Sequence, residues 1–72
     1  MRVTYTIRVD GKIDSKRLYE LVAGLGANVT DMGDYTMLHG DGTPQQASEA
    51  VLFTSLFGKT TAEIDEIADE AP

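Results

Sequence analysis

The sequence predicts an α+β fold, an antiparallel sheet of three or four strands with two helices on one face in a split βαβ arrangement. Three observations carry this expectation. Residues 2–10, RVTYTIRVD, alternate apolar and polar side chains without a break; two later stretches combine a capping residue with helical apolar spacing; and between them two short runs flank Gly33-Asp34.

In the first run Val3, Tyr5, Ile7 and Val9 fall on one face and Arg2, Thr4, Thr6 and Arg8 on the other. This period of two, rich in β-branched residues, is that of a half-buried strand turning at Asp10-Gly11. The first helix follows, with Asp14 as N-cap and Leu18, Leu21, Val22 and Leu25 at i, i+3, i+4 and i+7. Ile13 and Leu18 have the spacing of a hydrophobic staple, and Gly26 is placed to end the helix in a left-handed conformation. Residues 27–40, ANVTDMGDYTMLHG, read as a hairpin around Gly33-Asp34, with Val29, Tyr35 and Met37 inward or, one residue out of register, Met32 and Leu38 instead.

Residues 39–51, HGDGTPQQASEAV, read as a glycine-rich turn into a second helix from Pro44 to Phe57. Thr43 and Gln46 have capping-box spacing, and Pro44 sits where a missing N–H costs nothing. Ala47, Ala50, Val51, Leu52, Phe53, Leu56 and Phe57 cover more than one stripe of that helix, which therefore needs cover on two sides. In the remainder, Thr60 and Glu63 repeat the capping-box spacing while Ile64, Ile67, Ala68 and Ala71 recur at helical intervals. The pattern favours a short acidic C-terminal helix; the alternative is a fourth strand over residues 60–65. The chain reads as one domain, residues 1–72, with a core over 2–58 and an acidic C-terminal segment over 59–72.

Composition narrows the function classes. At 72 residues the chain is near the lower limit for a core without disulfides or metals, so a second subunit would help it. It has no cysteine, which excludes disulfides, thiolate zinc sites and thiol nucleophiles. No run approaches a membrane span and no signal-peptide pattern opens the chain, giving the expectation of a soluble cytoplasmic protein. The formal charge of -6 is unevenly spread: five cations against three carboxylates in residues 1–20, but Lys59 alone against nine carboxylates in residues 21–72. Such a chain is a poor binder of nucleic acid backbone and a better match for a basic protein surface.

Individual residues carry little chemistry. His39, the only histidine, has Asp41 beside it and Asp31 and Asp34 across the hairpin, but no diagnostic metal or catalytic spacing, so it reads as a solvent-facing strand end. Gly40-Asp41-Gly42 lacks a phosphate-loop pattern and places a carboxylate where an anion would sit. Arg2 and Arg8 share a strand face that lacks the stacking aromatics of an RNA-binding sheet, since Tyr5 lies opposite. No cofactor or metal is expected. The strongest candidate is the acidic segment, Glu63, Ile64, Asp65, Glu66, Ile67, Asp69 and Glu70, because a purely solvating tail has no use for repeated isoleucines.

The order of strand, Val9-Asp10-Gly11 turn, helix ending at Gly26, and Ala27-Asn28-Val29 opening a second strand resembles the small regulatory ACT domains and, more broadly, ferredoxin-like folds. The resemblance spans residues 3–57 in topology and implies effector binding near Asp10, Gly11 and Asn28. Two expectations therefore compete. The preferred one is a small acidic non-catalytic interaction module meeting a basic surface, in one version an inhibitor that occupies a nucleic-acid-binding surface by charge mimicry; the alternative is an ACT-like effector-sensing domain. An enzyme using His39 ranks last. A homodimer is expected on two grounds: the breadth of the second helix's apolar surface, and the first strand, an open edge if the sheet has only three strands.

Overall fold

A computed structural model describes residues 1–67; Asp69 and Glu70 of the acidic segment lie outside the described residues. The elements run β1 (Arg2–Asp10), α1 (Ser15–Val22), a 3-10 turn (Ala23–Leu25), β2 (Asn28–Asp31), β3 (Tyr35–Gly42), α2 (Pro44–Ser55) and β4 (Thr60–Ile67). The four strands form one antiparallel sheet in the order β2-β3-β1-β4, compatible with a ferredoxin-like fold.

The alternating pattern of β1 becomes the centre of the core. Val3, Tyr5, Ile7 and Val9 are buried beneath the helices, and β1 is paired on both sides, with β3 over residues 3–10 and with β4 over residues 2–9. On β3 the residues opposite them are Gly42, Gly40, Leu38 and Thr36, so Leu38 points inward and meets Val29 of β2 in register. Tyr35 and Met37, expected inward, lie on the opposite face: the register seats Leu38 beside Ile7, and every β3 neighbour alternates from there. From the helices Leu18, Val22, Ala47 and Ala50 complete the buried cluster, with Ile13, Leu25, Val29, Val51, Phe53 and Phe57 around it.

Local chemistry places the helices. Asp14 accepts a hydrogen bond from the Arg17 N–H at 3.1 Å, and Gly26 closes the 3-10 turn at φ 77°. Thr43 and Gln46 form both bonds of a capping box, Gln46 N–H to Thr43 Oγ1 at 3.1 Å and Thr43 N–H to Gln46 Oε1 at 2.9 Å. α2 sets Ala47 and Ala50 against the sheet, small side chains that let its backbone come close, and the buried Thr54 hydroxyl donates to the Ala50 carbonyl at 2.6 Å. Leu52 and Leu56, on the far side of α2, remain 66% and 77% exposed, so among the described residues only one of the two expected covers exists.

Three expectations are corrected. Gly40-Asp41-Gly42 is no turn but the end of β3, paired with Val3, Thr4 and Tyr5. Its glycines make room: a Cβ on Gly40 would lie 2.6 Å from the Tyr5 hydroxyl oxygen, 2.8 Å from Tyr5 Cζ and 3.2 Å from Ala27 Cα. One on Gly42 would strike the Gln46 side chain that the capping box holds. Residues 60–67 are strand and not the acidic helix favoured by spacing, because β1 offers a free edge whose ladder bonds outweigh a marginal terminal helix. With β4 in place β1 is interior, which removes one ground for a homodimer and leaves the uncovered Leu52 and Leu56 as the other.

Gly40→Ala is expected to destabilise the chain by about 1–3 kcal/mol through the Tyr5 clash. Gly24→Ala, where an added Cβ meets nothing within 4 Å, should be neutral or stabilising by up to about 1 kcal/mol. Urea denaturation of the two variants checks this; equal midpoints would contradict it.

Candidate functional site

The described part of the acidic segment, Glu63, Ile64, Asp65, Glu66 and Ile67, lies in β4, an exposed edge of the sheet among the described residues. In the β1–β4 register Thr4 faces Asp65, Thr6 faces Glu63 and Arg8 faces Thr61, while Val3 faces Glu66, Tyr5 faces Ile64 and Ile7 faces Ala62. Glu63, Asp65 and Ile67 therefore share the sheet face that no helix covers among the described residues, and Ile64 and Glu66 share the helix face. The two isoleucines, which helical spacing placed together, lie on opposite faces because an interval of three inverts a strand. Ile64 is still 46% exposed.

The backbone of this edge can be oriented residue by residue. The Asp10 N–H donates to the Lys59 carbonyl at 2.9 Å, and this pair continues the β1–β4 register by one step. Hydrogen-bonded and non-bonded pairs alternate in an antiparallel ladder. Thr61, Glu63, Asp65 and Ile67 thus direct their N–H and C=O groups to β1, and Thr60, Ala62, Ile64 and Glu66 direct theirs away from the sheet. The other edge differs. β2 has four residues, α1 packs on it, and Ser15 Oγ donates to Asp31 Oδ2 at 3.2 Å.

The two β1 arginines of the uncovered face are partnered within the chain. Arg2 is ion-paired with Asp41; Arg8 Nε donates to Asp10 Oδ1 at 2.8 Å, and its guanidinium lies 3.9 Å from the centre of the Tyr35 ring. Among the described residues no ion pair involves Glu63, Asp65 or Glu66. Sequence reasoning missed the Arg8–Tyr35 stack because it required the β1–β3 register, which places Tyr35 beside Asp10 on Arg8's face.

The remaining candidates are dispersed. His39 is exposed on the same face, its Nδ1 3.2 Å from Thr6 Oγ1. Asp10 and Gly11 sit together at one end of β1, where the Gly11 N–H donates to the Asp34 carbonyl at 2.8 Å. Asn28 pairs with His39, whereas Asp10 pairs with Tyr35, four residues along β3 and about 13 Å away at ~3.3 Å per residue. One chain therefore does not bring the three effector-binding candidates together. Among the described residues no pocket opens, no cluster of ligands could hold a metal, and no helix is long and apolar enough to cross a membrane. Comparison with known protein families, characterised proteins and solved structures finds no match.

Burial of the Tyr5 side chain pushes its phenol above the usual value of 10.0, and the Asp41 carboxylate adds to the effect. The unfolded chain then ionises first as pH rises, so stability is lost from about pH 10 up to the raised folded value. Tyr5→Phe should remove this part of the alkaline destabilisation. Urea midpoints from about pH 9 to about pH 11 measure it, and parallel curves for the two proteins would show that Tyr5 does not contribute.

Proposed function

We propose that this chain is a small, acidic, non-catalytic interaction module whose β4 edge meets a basic surface on a partner protein. One observation carries the reading: the two arginines of the uncovered face are already paired within the chain, whereas Glu63, Asp65 and Glu66 are exposed without an ion-pair partner among the described residues. An exposed charge of one sign, uncompensated in cis, steers and holds a surface of the other sign. The same argument disfavours binding to a nucleic acid backbone, for which Arg2 and Arg8 would have to leave Asp41 and Asp10. Where the partner's basic surface itself binds nucleic acid, the module acts as an inhibitor by occupying it. The effector-sensing alternative has less support, because Asn28 lies at the far end of the sheet from Asp10 and Gly11 and, among the described residues, no pocket joins them.

The test compares the wild-type chain with a Glu63→Gln, Asp65→Asn, Glu66→Gln variant as tagged baits in lysate of the source cells. A stoichiometric partner with a basic surface should be retained at low salt and released between about 0.15 and about 0.5 M salt. The variant should retain at least about tenfold less, a coupling of ~1.4 kcal/mol. Equal retention by the two baits would exclude the β4 carboxylates as the contact.

A further inference from the structure

Resting on that reading, we propose that β4 takes up an extended basic segment of its partner by strand addition, as a fifth strand beyond the present edge. The argument starts from the backbone. Thr60, Ala62, Ile64 and Glu66 direct four N–H and four C=O groups away from the sheet over about 20 Å at ~3.4 Å per residue, a length that matches an ordinary strand. Proteins guard such edges by shortness, cover, proline, lysine or a bulge. β2 is short and packed by α1, but β4 has eight residues, contains neither proline nor lysine, and follows β1 without a break in register.

Between Thr60 and Ile67 the charged guard is carboxylate, and that guard is selective. Glu63 and Asp65 on the uncovered face, with Glu66 on the other, repel an acidic strand and attract a basic one. A second copy of this chain is the poorer occupant, since it brings three more carboxylates to the same edge and carries the same net charge of -6. The helix-face side of the edge is apolar at its middle. Ala62 and Ile64 are exposed there, and Ile64 is one of the few large apolar side chains of the sheet left open. An added strand would cover both. The segment this edge fits therefore alternates, with lysine or arginine toward Glu63 and Asp65 and small or β-branched apolar residues toward Ala62 and Ile64. Main-chain bonds would hold it and the alternating side chains would select it.

The probe is a synthetic peptide of about ten residues that alternates lysine with valine or threonine, capped at both ends and added to the full chain; an otherwise identical peptide with glutamate for lysine is the control. Titration should show salt-sensitive binding of the lysine peptide only. In the complex, amide hydrogen exchange should slow at least about tenfold at Thr60, Ala62, Ile64 and Glu66, and change little at Thr61, Glu63 and Asp65, which already bond to β1. Ala62→Pro removes one outward N–H and no bond to β1, so it should weaken binding at least about tenfold with the β1–β3 amides unchanged. The exchange pattern in the wild-type chain needs no variant to fold. Binding without this alternation overturns strand addition and leaves the acidic module standing. Failure of the peptide to bind at about millimolar concentration, where a captured partner is still lost with the carboxylates, does the same. Protection of the four amides by raised protein concentration without peptide would overturn it in favour of a second copy.

Discussion

Everything in this chain is organised around β1. It is paired on both sides over residues 3–9, and its alternate residues Val3, Tyr5, Ile7 and Val9 form the floor of the core that both helices complete. Burying four such side chains is a large favourable term for so short a chain, since each contributes roughly 1.5–3 kcal/mol. The demands of that strand propagate outward. The Tyr5 ring requires Gly40 on β3, its hydroxyl reaches toward the Leu25 carbonyl at 3.5 Å, and the ladder that begins between Asp10 and Lys59 draws residues 60–67 into the sheet.

Elements defined by local chemistry were legible in the sequence. β1 has a period of two that no helix can share, and the caps at Asp14, Gly26 and Thr43 satisfy backbone groups within a few residues of themselves. Elements defined by a distant partner were not. His39-Gly40-Asp41-Gly42 has the composition of a turn, and only the Tyr5 ring, 35 positions from Gly40, explains why a central strand tolerates glycine there. Thr60–Ile67 is ambiguous for a different reason. Its isoleucines are three apart, an interval that reads as one face of a helix and as two faces of a strand. Because almost nothing in this segment is buried, no apolar alternation marks the period of two. The decision lies in the open edge of β1, which is invisible until the sheet is assembled.

The candidate site shows the same division. The residues of the acidic segment were legible from charge and composition, but their geometry was not. As a strand they become an edge whose side chains point to two faces and whose outward backbone groups belong to Thr60, Ala62, Ile64 and Glu66. Charge then acquires a direction: the uncovered face neutralises its arginines with Asp41 and Asp10, and Glu63, Asp65 and Glu66, with no ion-pair partner among the described residues, line the β4 border. A chain with no pocket and no metal-binding cluster among its described residues still presents one surface suited to recognition.

The pairing of β4 with β1 is the claim on which both the fold and the functional reading stand, and nuclear Overhauser contacts between α-protons test it most directly. In the free chain at low concentration, the non-bonded pairs Tyr5–Ile64 and Ile7–Ala62 should give strong cross-strand α-proton contacts, since such pairs approach to about 4.5 Å between Cα atoms. Absence of these contacts, with sequential helical contacts from Thr60 to Glu63 and from Glu63 to Glu66 in their place, would return the segment to an acidic helix and remove the edge from the account.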